Sequence, residues 1–162
     1  MTVISTSKDT EALTLTIVTQ LPAPPARVWQ VWADPRQLER WWGPPTWPST
    51  FVEHDLDVGG AAASYMTGPT GEKAHGWWRF EAVDEPRSLA FVDGFADGDG
   101  APDPSMPTTR GHVLLEAADG GTRMTITSTF SSLEALEQLA AMGMVEGMTL
   151  ALGQIEDILA GV

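Results

Sequence analysis

Residues 25–48 read PARVWQVWADPRQLERWWGPPTWP, and this stretch decides the fold. It contains five of the seven tryptophans of the chain, at positions 29, 32, 41, 42 and 47. A buried tryptophan can remove roughly 150–250 Å² from water, far more than a short helix needs for anchorage. Proline in a first-turn position predicts two short helices, over 25–33 and 35–42. Prolines between these tryptophans restrict the backbone, and this arrangement predicts an aromatic wall at the mouth of an apolar cavity.

Strand patterns flank this stretch on both sides. Residues 12–20 alternate apolar side chains with threonine, the period-two pattern of a half-buried strand. Six further strands separated by turn residues are predicted downstream, over 50–56, 60–66, 76–83, 89–95, 109–117 and 122–130. We predict a flexible segment over 1–11 and a mobile loop over 94–108, which is rich in Gly, Asp and Pro.

The last thirty residues have a helical pattern that runs to about Ala160. Ser131 and Glu134 have the spacing of a capping box. Gly143 and Gly147 interrupt the pattern and predict a kink or a separate short first segment. The order of elements therefore predicts an α+β fold. In this fold a curved antiparallel sheet of about seven strands wraps round a long C-terminal helix, and two short helices follow the first strand.

Composition limits the classes of partner. The chain has 162 residues, which predicts a single domain over 1–162, and its formal net charge is −13. The nine Lys and Arg residues are scattered, so the sequence predicts no nucleic-acid partner and no anionic membrane surface. There is no cysteine, no apolar run long enough to span a bilayer and no pattern of a secretory signal. We expect a cytoplasmic protein.

Four motifs point to a known superfamily. They are Pro25–Ala26–Arg27–Val28–Trp29 with Trp32, Arg40–Trp41–Trp42–Gly43–Pro44, Asp55–Leu56–Asp57–Val58–Gly59–Gly60 with the Gly71–Glu72 turn, and Gly121–Thr122–Arg123–Met124–Thr125. In this order they resemble the START-like (SRPBCC) superfamily, and in particular its branch of activator of heat-shock-protein-90 ATPase homologues and polyketide cyclases.

The resemblance implies the helix-grip fold, also called the birch-pollen-allergen fold, with an internal apolar pocket. It does not imply one reaction, because function is carried by the site and not by the fold. Two residues depart from the family pattern. Asp57 replaces the usual arginine, and Met148 stands where a tryptophan commonly follows the glycine of the last helix. Methionine adapts to irregular partners, so this change enlarges or softens the pocket.

The predicted function is binding of a small hydrophobic molecule, a lipid or an aromatic polyketide-like compound, between the curved sheet and the last helix. Apolar walls with a few polar groups are typical of such sites. The candidate ligand-binding residues are Trp41, Trp42, Tyr65, Trp78, Phe80, Phe91, Arg110, Met124, Met144 and Met148. Tyr65, His75 or Arg110 would orient a polar head group.

Two alternatives remain open at this point. One is a cyclase, dehydratase or hydrolase-like enzyme that uses His75, His112 or Tyr65 as acid or base, although we favour a protein without catalysis. The other is a co-chaperone-like domain for protein interaction, and a homodimer is compatible with each reading. The spacing of the three histidines predicts no metal site, and no cofactor is expected.

Acidic residues cluster in the loop over 94–108 and just before it. Asp93, Asp97, Asp99 and Asp103 invite interpretation as a calcium site, but they lack the ordered spacing and terminal glutamate of an EF-hand. We predict that these four carboxylates belong to a solvated loop that acts as a lid.

Overall fold

One eight-stranded antiparallel sheet forms the body of the molecule. The computed structural model describes residues 3–161. The strands are β1 Val3–Asp9, β2 Thr14–Leu21, β3 Ser49–His54, β4 Ala61–Thr67, β5 Lys73–Asp84, β6 Ser88–Ala96, β7 Thr109–Ala118 and β8 Gly121–Phe130. Their order across the curved sheet is β1-β2-β8-β7-β6-β5-β4-β3. Strands β3 to β8 form a meander that returns to β2, and bulges in the β3–β4 and β5–β6 pairs bend it.

The seven predicted strands are confirmed, and the eighth is the N-terminal strand β1. Residues 1–11 had been predicted as a flexible segment, yet Val3–Asp9 pairs with β2 at the edge of the sheet. Six of its seven residues are exposed, so the hydrophobic alternation that reveals a strand is absent there. Backbone hydrogen bonds to β2 define this strand. The mobility of the segment stays a prediction.

Two short helices connect β2 to the far edge of the sheet, as predicted. They are α1, Pro25–Ala33, and α2, Pro35–Trp41, each with proline in its first turn. The Asp34 carboxylate caps α2 by accepting a hydrogen bond from the backbone N–H of Arg36 at 2.9 Å. Trp29, Trp32 and Trp41 are all buried in the core beneath these helices.

The C-terminal helical region has three pieces, α3 Leu133–Ala141, α4 Met144–Leu152 and α5 Ile155–Leu159. The predicted break at Gly143 is confirmed, because this residue has a φ of +88° that favours glycine. The second break, between α4 and α5, was not predicted. The capping box was placed one residue early: Ser132 caps α3, and its Oγ accepts a hydrogen bond from the N–H of Ala135 at 3.0 Å.

The three pieces pack differently. Helix α3 approaches β8, and α5 approaches α1 and α2, whereas the main backbone neighbour of α4 is α3. The α4 residues Met144 and Met148 are half-buried and lie at the border of the core. Helix α4 therefore spans the concave side of the sheet without closing onto it. This is the predicted helix-grip fold, with its terminal helix in segments. Among residues 3–161, no helix is long and apolar enough to cross a membrane.

Candidate functional site

A cavity of about 500 Å³ lies between the concave face of the sheet and α4, and it is open to solvent on one side. Strands β4, β5 and β6 form its floor, α3 and α4 its roof, and the loop after α2 its third wall. The lining residues are Trp42, Gly43, Pro44, Trp47, Ser64, Met66, Ala74, His75, Gly76, Trp78, Asp93, Gly94, Phe95, Thr109, Leu139, Met142, Gly143, Met144, Gly147, Met148 and Ala151. Most of these side chains are apolar.

Small residues on facing elements keep this space open. On the floor, Ala74 and Gly76 are inward positions of β5 that carry a methyl group or no side chain. On the roof, Gly147 and Ala151 present the backbone of α4 to the cavity. A methyl group added at Gly147 would have no heavy atom within 4 Å outside the helix itself and its chain neighbours. The cavity therefore exists because both its floor and its roof carry small residues.

The aromatic wall predicted from residues 25–48 divides into two layers. The inner layer is core: the Trp41 indole is fully buried and donates a hydrogen bond to the Val31 carbonyl at 2.8 Å. The outer layer is Trp42, which packs edge-on against both Trp41 and Trp78, with ring centroids 5.6 and 4.8 Å apart. Trp42, Trp78 and Trp47 thus reach the cavity, while Trp41 supports them from behind.

One carboxylate lies in this apolar wall. Asp93 faces the cavity from β6, between Trp78 of β5 and Thr109 of β7 in the same cross-strand row. The indole N–H of Trp78, its cross-strand neighbour, is a possible donor toward the Asp93 side chain. Burial raises the pKa of Asp93 from 3.8 to about 7, and the interaction with the Trp78 side chain opposes this rise. The carboxyl group therefore changes its charge near neutral pH.

Asp93 is the site residue that the sequence analysis missed. It had been assigned to the solvated acidic loop with Asp97, Asp99 and Asp103, but it belongs to strand β6. The signal was present in the period-two pattern, because Leu89 and Phe91 occupy the preceding inward positions and both are buried. Strand alternation places Asp93 next on the same face. The loop proper begins after Ala96, and its lid role stays a prediction.

The structure brings four of the predicted ligand-binding residues together around the cavity: Trp42, Trp78, Met144 and Met148. Six others do not line it: Trp41, Tyr65, Phe80, Phe91, Arg110 and Met124. Trp41, Phe80, Phe91 and Met124 are buried in the core behind the lining, where Phe91 stacks on Trp78 with ring centroids 4.2 Å apart. Arg110 is exposed on the outer face of β7, with its Nε 3.8 Å from a carboxylate oxygen of Glu81.

The predicted acid–base candidates do not converge in the cavity. His112 is exposed and lies on the outer face of β7 with Arg110. His75 belongs to the wall, but its ring contacts its cross-strand neighbour Tyr65, with ring centroids 5.7 Å apart. Strand alternation puts this pair on the face opposite Ser64 and Gly76. Within residues 3–161, no group of His, Asp or Glu side chains is arranged to hold a metal ion.

Comparison with known proteins identifies the family of this chain. Residues 22–160 match the family model described as Activator of Hsp90 ATPase homolog 1-like protein. The chain belongs to this family. The resemblance drawn from the four motifs is thereby confirmed. The match covers every helix of the structure and six of its eight strands, β3 to β8.

Members of known structure share the fold closely. A protein from Arthrobacter aurescens, solved by NMR in solution, is 53% identical, with 99% of this chain and 94% of that one covered and a TM-score of 0.95. The crystal structure of protein Ms6760 from Mycobacterium smegmatis is 48% identical, covering 97% and 96%, with a TM-score of 0.90. A Staphylococcus epidermidis protein is 26% identical, covering 98% and 94%, with a TM-score of 0.85. Comparison with curated proteins gave no match.

Within this Activator of Hsp90 ATPase homolog 1-like fold, the departure at Met148 falls in the roof of the cavity. The thioether is half-buried and faces the space beside Gly147. A tryptophan at this position would occupy part of the volume that methionine leaves free. This substitution offers a direct way to fill the cavity without changing the floor.

Proposed function

We propose that the protein binds a small apolar molecule in the cavity beneath α4. The observation that carries this proposal is the separation between α4 and the sheet, which leaves about 500 Å³ lined mostly by tryptophan, methionine and small residues. Small-molecule sites in proteins have volumes of roughly 300–1,000 Å³ and similar walls. The open side gives a ligand access without unfolding the core.

Apolar burial supplies the binding energy in this proposal. A guest that buries about 200 Å² of apolar surface gains roughly 5 kcal/mol at 25 cal/mol per Å². Losses of translational, rotational and side-chain freedom reduce this gain. The packing of Trp42 on Trp41 and Trp78 limits the side-chain part of the cost, because each of these rings is held by its neighbours.

Isothermal titration calorimetry with two neutral probes tests the proposal. 1-Naphthylmethanol represents aromatic guests and 1-octanol represents lipid-like guests. We expect at least one of them to bind with one-to-one stoichiometry and a negative heat-capacity change, which is the marker of apolar burial. If neither probe binds to the folded wild-type protein, the proposal is wrong.

Two variants of α4 test whether the probe binds in the cavity. Met148→Trp places an indole ring in the cavity and is expected to weaken binding of the probe at least tenfold. Leu150→Trp is the matched control, because Leu150 is 57% exposed on the same helix and does not line the cavity. Equal affinities for the two variants would place the probe outside the cavity and contradict the proposal.

The enzymatic alternative finds no support in its named residues. It named His75, His112 and Tyr65, and these three side chains lie on the outer side of their strands. The co-chaperone-like alternative and the homodimer stay predictions. Binding of a small molecule is the function that the geometry favours.

A further inference from the structure

Resting on the proposed function, we infer that the guest molecule is a hydrophobic amine whose ammonium group is held by the Asp93 carboxylate. This assigns a chemical class to the ligand and a recognition role to a residue of the floor. The inference stands on the position of Asp93 in the cavity, on the charges of the lining and on its aromatic rings.

The Asp93 carboxylate has unused acceptor capacity. An ionised carboxylate can accept about four hydrogen bonds through its two oxygens. In the structure the two cross-strand neighbours of Asp93 are Trp78, with one indole N–H, and Thr109, with a single hydroxyl. A protonated primary amine brings three N–H donors and the opposite charge. Such hydrogen bonds between charged groups are about twice as strong as neutral ones.

The lining provides no positive charge of its own. Within residues 3–161, the cavity wall contains no lysine or arginine, and its titratable side chains are Asp93 and His75. The His75 ring packs on Tyr65, on the face away from the floor. A carboxylate in an apolar cavity without a counter-ion is costly, so a cationic guest relieves this cost where a neutral guest does not.

The tryptophans of the wall favour the same charge. Indole faces attract ammonium groups through the negative potential of the ring, and the attraction grows as the site loses water. Trp42, Trp47 and Trp78 all line the cavity that contains Asp93. The formal net charge of −13 also attracts cations toward the molecule and repels anions. A guest with a carboxylate or phosphate would meet repulsion at each of these levels.

The affinity for an ammonium group should depend on pH through the charge of Asp93, because the residues around it are almost all uncharged. Trp78 from β5 and Thr109 from β7 flank it, and the facing roof residues of α3 and α4 are uncharged: Leu139, Met142, Met144 and Met148. Among the residues of the wall, His75 is the other titratable group. Because the pKa of Asp93 is about 7, a protonated amine should bind better at about pH 8 than at about pH 5.5.

Three probes of one shape and different charge test the inference. Calorimetric titrations use 1-naphthylmethylamine, 1-naphthylmethanol and 1-naphthoate at about pH 8. For the wild-type protein we expect the amine to bind on the order of tenfold more tightly than the alcohol, which corresponds to about 1.4 kcal/mol. The carboxylate should bind most weakly. Asp93→Asn should remove the preference for the amine over the alcohol.

Asp99→Asn is the matched control, since it removes the same charge from the exposed loop. It should keep the preference for the amine, which separates a local contact from the general attraction of an acidic protein. If Asp93→Asn does not fold, the pH series on the wild-type protein replaces it, with the amine preference expected to fall toward one at about pH 5.5.

The failures of the two proposals are distinguishable. If the alcohol binds and the amine binds no more tightly, or if Asp99→Asn loses the preference as fully as Asp93→Asn, the inference about amines is wrong and the cavity keeps its proposed function. If neither the naphthyl probes nor 1-octanol bind the wild-type protein, both proposals are wrong.

Discussion

Replacement of Asp93 by asparagine should stabilise the protein, and the gain should depend on pH in a defined direction. Below about pH 4 the carboxyl is protonated in both the folded and the unfolded chain, so its charge contributes nothing to the difference between them. Between about pH 4 and pH 7 the unfolded chain ionises while the folded chain holds the proton, because the pKa of Asp93 is raised to about 7. Stability due to this group therefore falls as the pH rises through this window.

The size of the effect follows from the two pKa values. The interval from 3.8 to about 7 spans about three pH units, and each is worth about 1.4 kcal/mol, which sets an upper limit of about 4 kcal/mol. Water that enters the open cavity reduces the cost of the charge. We therefore expect Asp93→Asn to raise the free energy of unfolding by about 2 kcal/mol at about pH 8 and to leave it nearly unchanged at about pH 4.

Urea denaturation followed by tryptophan fluorescence measures both values, since the wall tryptophans report on unfolding. Asp99→Asn serves as the control for the loss of one negative charge, and it should change the free energy of unfolding by less than about 0.5 kcal/mol at either pH. A gain that is equal at the two pH values, or a loss at about pH 8, would refute the placement of Asp93 in a poorly solvated wall.

Three further variants test the packing around the cavity. Gly111→Ala should lower the free energy of unfolding by about 2 kcal/mol, because the added methyl would lie 2.8 Å from the ring of Phe91, which is held by its stack on the floor; thermal denaturation measures this. Trp41→Phe removes a buried hydrogen bond and should cost about 1–3 kcal/mol in urea denaturation, whereas an unchanged midpoint would contradict its role as the inner layer. Ser132→Ala should cost about 1 kcal/mol and Ser131→Ala almost nothing; the reverse order would restore the capping box predicted from sequence.

Much of the fold was predictable because its signals are local. Threonine alternation, paired glycines and first-turn prolines each constrain a few neighbouring residues, and seven strands and two short helices followed from them. The strand β1 escaped notice because an exposed edge strand leaves no hydrophobic alternation. The break between α4 and α5 also escaped, since Gly153 was read as part of a continuous helix and its surroundings are set by packing against α1 and α2.

The site was predictable in kind and only partly in detail. Sequence identified aromatic and methionine residues but could not separate the inner layer of Trp41 from the outer layer of Trp42, because adjacent positions share every local property. Arg110 and His112 are two residues apart and share one face of β7, and the sequence pattern alone did not show that this face points outward. Asp93 was assigned to the acidic loop because of the aspartates that follow it. Its environment is instead decided by its position in strand β6.

The C-terminal region is divided into three helices, and adjacent helices have different structural roles. Helices α3 and α5 pack on β8, α1 and α2, while α4, with glycine at either boundary, lines the cavity. Substitutions at Met144, Gly147 and Met148 can therefore alter the shape of the roof at little cost to the core, whereas Leu152 of the same helix is fully buried. Sequence differences that change ligand choice among relatives should concentrate at these cavity-facing positions, and the scaffold beneath them can stay constant.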